Sequence, residues 1–281
     1  MSLARPSSSL IITAPWRAAA ASKADQLPYN YRILMAKRVG GGSFENAYVF
    51  PGGLEESSDS QWTTSSHKVC AIRETFEETG ILLTSPTTTA PKNTDFASLC
   101  ANRTLPDIRQ IGRWVTPREQ KKRFDTRFFL LSIKETDTQL LDQIKSAAVQ
   151  ESELVRLDWF TPAEILQANL AATLPLFPPQ FYIVRELSRW RRWQDLAHDP
   201  LDLGDTDKPI EPLLLKHQEG MVSLFPGDKA YPESTTERSP SASLDDCDGP
   251  LHRIVMKRAK TGGFVECRLL KQLPSDPAPK L

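Results

Sequence analysis

Three glutamates constrain this chain more than any other feature. Glu74, Glu77 and Glu78 lie at i, i+3 and i+4 within Cys70-Ala71-Ile72-Arg73-Glu74-Thr75-Phe76-Glu77-Glu78-Thr79-Gly80-Ile81. On a helix that spacing brings all three carboxylates to one face within a single turn. Gly80 marks the helix stop, so the acids fall in the last turn, where the macrodipole is already negative. Like charges at this spacing cost roughly 0.2–0.5 kcal/mol per pair. Arg73 relieves only part of that, because Arg ahead of Glu is the weaker orientation. A purely structural helix end would carry Lys or Arg. A hard divalent cation held by carboxylate oxygens resolves the conflict. Upstream, Phe50-Pro51-Gly52-Gly53 supplies a loop to set against that helix.

The 281 residues suffice for one large domain, or for a core with an appendage. Basic and acidic residues balance at 35 each, so nothing in the net charge points to nucleic acid or to a membrane surface. Cys70, Cys100, Cys247 and Cys267 show no C-x-x-C spacing, and Cys70 sits inside the acidic helix. This argues for a reducing compartment and against a disulfide framework or zinc site. No apolar run approaches the roughly 20 residues of a membrane span.

Along the chain, Ser8 to Thr13 reads as a strand, although the Ser- and Ala-rich residues 1–25, with no acid before Asp25, also fit a mitochondrial presequence. Further strands are expected at Tyr31 to Arg38, Tyr48 to Phe50, from Ile81, Ile111 to Val115, Arg127 to Ser132 and Leu154 to Trp159. Gly40 to Ser43 reads as a flexible turn, residues 54–66 as a solvated insertion, and 84–95 as a Thr/Pro loop. Pro162 opens a helix capped by Thr161, and Pro178 opens a longer one to about Leu196, with Ile183, Leu187 and Trp190 as its buried stripe. Two hairpins follow, Leu213 to Phe225 and His252 to Arg268, separated by a Ser/Asp-rich loop expected to be mobile at 232–248. Residues 274–281 read as a disordered tail. The expected division is therefore a catalytic domain at 1–198 and a β-rich C-terminal extension at 199–273.

The box at residues 52–81 resembles that of the Nudix hydrolases: Gly, five residues, Glu, seven residues, then Arg-Glu-U-x-Glu-Glu-x-Gly-U with U bulky and apolar. The second half matches from Arg73 to Ile81, with Thr75 in place of the first U. Gly53 precedes Arg73 by 20 positions where the pattern has 14. Counted back from Arg73, the outer glutamate falls on Ser65 and is missing, while Glu55 and Glu56 are out of register. Trp114 to Pro117, Arg123 to Phe129, Trp159 to Glu164 and Pro178 to Tyr182 occur in the order seen in the eukaryotic branch that includes the peroxisomal coenzyme A diphosphatase. That branch also carries an insertion ahead of its Arg-Glu helix.

The resemblance implies an α/β/α sandwich around a mixed sheet, and a diphosphatase using Mg2+ or Mn2+. It implies Glu74, Glu77 and Glu78 as metal ligands, joined by the Gly53 carbonyl, with Arg73 orienting the acids. A further acid before Trp159 serves as ligand or base, and Glu153 fits best, with Glu151 second. Arg38 and Arg123 are candidates for phosphate contacts or for surface ion pairs, because Arg pairs with phosphate in a fork. Phe128 or Phe129 is a candidate to stack on a base or to pack in the core. His67, Trp159 and Trp190 read as structural.

The substrate implied is a small molecule, coenzyme A or an acyl-coenzyme A, cut to 3′,5′-ADP and the (acyl-)4′-phosphopantetheine, with Lys121, Lys122 and Arg123 placed to meet the 3′-phosphate. Nucleotide sugars, dinucleotides and a Nudix binding module without catalysis are the alternatives. Pro279-Lys280-Leu281 resembles a peroxisomal address, with cytoplasm or mitochondrion as the other locations.

Overall fold

The computed structural model describes residues 3–16, 29–38, 47–62, 64–84, 95–100, 103–146, 154–198, 201, 203, 208–218, 220–232, 240, 243–244, 248–260 and 262–273. The turn expected at Gly40 to Ser43, residues 85–94 of the Thr/Pro loop, Glu151, Glu153, most of 232–248 and the tail at 274–281 lie outside the described residues. No helix among the described residues is long and apolar enough to cross a membrane.

A mixed sheet of seven strands forms the centre. β1 (Arg5–Pro15) carries it, running parallel to β6 (Phe124–Ser132) over the register Arg5 opposite Phe124 to Thr13 opposite Ser132. The strand reading of Ser8 to Thr13 therefore holds. On its other side β1 pairs antiparallel with β2 (Tyr31–Arg38) and with the short β4 (Gly52–Leu54). β3 (Tyr48–Val49) and β7 (Leu154–Phe160) flank β2, and β5 (Arg109–Val115) flanks β6.

Alternation along the strands divides the apolar residues between two faces. Leu10, Ile12, Leu34 and Phe129 meet α1 (Ser66–Thr79), α2 (Phe96–Cys100) and α3 (Thr138–Ser146) on one face. Ile11, Ile33, Met35, Phe128 and Leu130 meet α4 (Pro162–Leu170), α5 (Pro178–Leu187) and α6 (Trp193–His198) on the other.

Two expected elements differ. Ile81 to Leu83 forms no strand; the segment is buried but irregular, packed under α1. The helix from Pro178 stops at Leu187, and the Tyr31 and Tyr29 hydroxyls donate to the carbonyls of Leu187 and Ser188 at its end, at 2.8 Å each. The chain turns at that end, with the Trp190 N–H donating to the Leu187 carbonyl at 3.1 Å. Trp190 consequently lies beyond the helix, packed against the core.

The extension forms an antiparallel sheet of β8 (Leu213–His217), β9 (Gly220–Leu224), β10 (Leu251–Arg258) and β11 (Phe264–Gln272). Both expected hairpins are present, and both join one sheet. Packing crosses the boundary drawn at 198/199. Phe225 sits edge-on to Trp114 and Tyr182 with centroids 5.3 and 5.6 Å away. Buried Asn169 of α4 donates to the Phe264 carbonyl at 2.9 Å and accepts from the Cys267 N–H at 3.0 Å. Within the extension, Arg253 and Asp228 form a buried fork, Nε to Oδ2 at 2.8 Å and Nη2 to Oδ1 at 2.7 Å.

Burial works to raise the Asp228 pKa, but the Arg253 bonds and the backbone N–H groups of His252 and Ala230 outweigh it and hold it below the usual 3.8. A depressed carboxylate stabilises the fold above its unfolded pKa, and the contribution is lost as pH falls through the folded value. Asp228→Asn, which strands a buried guanidinium, should cost roughly 3–5 kcal/mol in chemical denaturation at pH 7, with the gap to the unmodified protein closing below about pH 3.8. An unchanged midpoint would show that the pair contributes nothing.

Candidate active site

α1 positions the three acids. Gly80 ends the helix in the left-handed conformation at φ 71°, its N–H donating to the Phe76 carbonyl at 2.7 Å. Thr75, polar where the Nudix pattern has an apolar residue, is fully buried and donates to the Ala71 carbonyl at 2.7 Å, so its hydroxyl is satisfied within the helix. β4 lies beneath α1, and its two glycines permit the approach. A Cβ on Gly53 would stand 2.3 Å from the Glu74 carboxylate, and one on Gly52 would stand 2.3 Å from the Ser8 carbonyl.

Arg73 is the hub. Its side chain is 6% exposed and all five N–H donors are used. Nε and Nη2 grip Asp59 at 2.8 and 3.0 Å, Nη2 also donates to the Leu54 carbonyl at 2.9 Å, and Nη1 donates to Glu74 at 3.0 Å and Glu77 at 2.9 Å. Glu78 instead accepts from the Gly52 N–H at 2.9 Å. Burial opposes charge on Arg73, but the Asp59 bond and the charges of Glu74, Asp59 and Glu77 outweigh it, and the guanidinium stays protonated. Burial raises the Glu74 pKa against the opposing charge and hydrogen bond of Arg73, with Glu77 and Glu56 adding to the rise. Burial likewise pushes the Cys70 thiol up to about 12, so it is an inert thiol at neutral pH.

Asp59 corrects the reading of residues 54–66 as a solvated insertion. Ser57–Gln61 forms a 3-10 turn whose Asp59 is 1% exposed and also accepts from the Glu56 N–H at 2.9 Å. Counted forward from Gly53, Asp59 occupies the position of the pattern's outer glutamate. The outer acid is therefore present as Asp, and the six extra residues lie after it. Counting from Arg73 alone placed that position on Ser65.

The structure brings Gly53, Arg73, Glu74, Glu77 and Glu78 together, with Glu77 49% exposed at the surface. Among the described residues no three acids, histidines or cysteines are gathered as closely as a bound ion requires, since Arg73 holds Glu74 and Glu77 while Gly52 draws Glu78 aside. The donor set nonetheless fits a hard divalent cation: three carboxylates within one helical turn beside the backbone of Gly53.

Other candidate residues fall elsewhere. Arg38 ends β2 opposite Leu154, with its side chain outside the described residues. Arg123, 10% exposed, donates to Glu211 at 2.7 Å and to the Thr116 carbonyl at 3.1 Å, which is the ion-pair alternative. Phe128 and Phe129 are buried on opposite faces of the sheet, as core. His67 lies 3.0 Å from Glu55, its pKa lowered by burial and by Arg127 against the pull of Glu55.

The mixed sheet, the acid-bearing helix and the glycine-rich strand beneath it form a Nudix-type fold. The family model described as the NUDT19 Nudix domain matches residues 63–189. "Putative nudix hydrolase 7" of Caenorhabditis elegans is 29% identical over 270 residues, covering 86% of this chain and 85% of its own. "Acyl-coenzyme A diphosphatase NUDT19" of Homo sapiens is 32% identical over 202 residues, 60% of this chain and 51% of its own length. The fold matches the crystal structure of a Nudix hydrolase from Alicyclobacillus acidocaldarius with TM-score 0.53 at 23% identity, over 73% of this chain and 100% of that one. Over residues 63–189 and in its fold the chain is similar to the Nudix hydrolases. Nudix hydrolases generally use divalent metals and act on small-molecule diphosphates.

Asp59→Asn should leave Arg73 short of its carboxylate partner, destabilising by roughly 3–5 kcal/mol in denaturant titrations. Asp59→Glu, which retains the charge one methylene further out, should lose less. Equal losses for Asn and Glu would mean that charge at position 59 is irrelevant.

Proposed function

We propose that this chain hydrolyses the diphosphate of coenzyme A or of an acyl-coenzyme A, releasing 3′,5′-ADP and the (acyl-)4′-phosphopantetheine. The observation that carries this reading is the match to relatives named acyl-coenzyme A diphosphatase, of which the Xenopus laevis protein aligns over 73% of this chain. The acid helix supports diphosphate cleavage but cannot select the leaving group.

Glu74, Glu77 and Glu78, with the Gly53 carbonyl, are the residues that would hold Mg2+ or Mn2+. Such an ion supplies charge neutralisation on the diphosphate oxygens and favours ionisation of the attacking water. The chain's own part is positional. Arg73 presents Glu74 and Glu77 from one nitrogen, and the Gly52 N–H aims Glu78. Asp59 holds Arg73 itself, so the acids are oriented before any ligand arrives. Glu153, then Glu151, is the proposed proton acceptor for the attacking water. Phosphate contacts fall to Arg38 at the diphosphate and to Lys121 and Lys122 at the 3′-phosphate, while Arg123 and Phe128 are held elsewhere.

Incubation of purified protein and Mg2+ with coenzyme A, nucleotide sugars and dinucleotides, followed by mass spectrometry, tests the reading. Coenzyme A should be cut at its diphosphate, and Glu77→Gln/Glu78→Gln should remove most of that turnover without lowering the unfolding midpoint. Preferred cleavage of a nucleotide sugar, or full Mg2+-dependent turnover in the double variant, would overturn it.

A further inference from the structure

The turn between β5 and β6 carries Arg118, Glu119, Lys121, Lys122 and Arg123. Its two arginines are gathered by one carboxylate that comes from beyond the family-matched segment. Glu211 accepts from Arg118 Nε at 2.9 Å and Nη2 at 3.3 Å, and from Arg123 Nη2 at 2.7 Å. Glu211 is itself fixed from two sides. Its neighbour Ile210 extends the sheet at the β5 edge, donating to the Arg113 carbonyl at 2.8 Å and accepting from the Val115 N–H at 2.9 Å. The Tyr231 hydroxyl donates to the Glu211 carbonyl at 2.7 Å. Arg123 also donates to the Thr116 carbonyl at 3.1 Å, tying the two ends of the turn together. The clamp takes up the two arginines, and Lys121 and Lys122 are exposed at the tip.

The position of that tip suits the far side of a nucleotide held at the acids. Ser8 stands opposite both Gly53 and Arg127, and Arg5 stands opposite Phe124, the first residue after the turn. At ~3.3 Å per residue and ~4.8 Å per strand, the base of the turn lies roughly 10 Å along and 10 Å across from Gly53. A lysine side chain covers a good part of that distance.

We infer that Glu211, in the C-terminal extension, is a positioning residue that sets Lys121 and Lys122 to receive the substrate's 3′-phosphate. The inference rests on the coenzyme A reading of the site. Without the Glu211 charge, Arg118, Lys121, Lys122 and Arg123 repel one another and the tip shifts. A displacement near 1 Å is enough to cost ~100-fold where contacts are charge-assisted.

The experiment compares kcat/KM for coenzyme A and for dephospho-coenzyme A in the unmodified protein, E211Q and R118Q, the last breaking the clamp from the turn's side should E211Q fail to fold. The loss on coenzyme A should exceed the loss on dephospho-coenzyme A by about tenfold or more, and it should appear in KM rather than kcat. Equal losses on both substrates, or a lower unfolding midpoint with the substrate ratio intact, would make Glu211 a structural brace only and overturn the inference. If the unmodified protein cuts neither substrate, the coenzyme A reading fails instead.

Discussion

Arg73 has five donors, and each is spent within the site. Two go to Asp59, one to Leu54, and the remaining pair to Glu74 and Glu77. A guanidinium this buried depends on the buried carboxylate of Asp59 and the largely buried one of Glu74, and it holds both in fixed directions. The conflict of like charges in the last turn of α1 is thus met partly by the fold.

That hub depends in turn on backbone approach. β4 can lie under α1 because position 53 lacks a side chain, and it can pair closely with the buried β1 because position 52 does. The 3-10 turn carrying Asp59 follows directly from β4, so the strand, the turn and the helix close on Arg73 as a unit. On the opposite face the extension completes the core through Phe225 and Asn169, and its lead-in strengthens the β5–β6 hairpin through Glu211. The described residues of the extension are packed into the core.

Much of this was legible in the residues. The spacing of Glu74, Glu77 and Glu78 and the stop at Gly80 gave the helix with its end, and alternation gave the strands at Tyr31 to Arg38 and Leu154 to Trp159. Thr161 and Pro162 marked a helix start that is confirmed by a full capping box with Glu164. Other signals were present but unread. Asp95 and Asp137 cap α2 and α3 through the N–H groups of Ser98 and Leu140, two helices not expected from the chain. Asp59 was hidden because its neighbours are Ser, Glu and Gln, a composition that reads as solvated; only its distance from Gly53 distinguished it. The hydroxyls that bond the carbonyls at the end of α5, those of Tyr29 and Tyr31, lie about 160 residues away in sequence and could not be read locally. Arg123 shows the same limit, as its partner Glu211 is 88 positions distant.

The central claim is that α1 presents a cation-holding face preset by Arg73. Titration of the protein with Mn2+, followed by electron paramagnetic resonance, measures that face without reference to any substrate. The account expects saturable binding to the unmodified protein, weakened tenfold or more when Glu74, Glu77 and Glu78 are all replaced by Gln. Binding that is undiminished in the triple variant would contradict it.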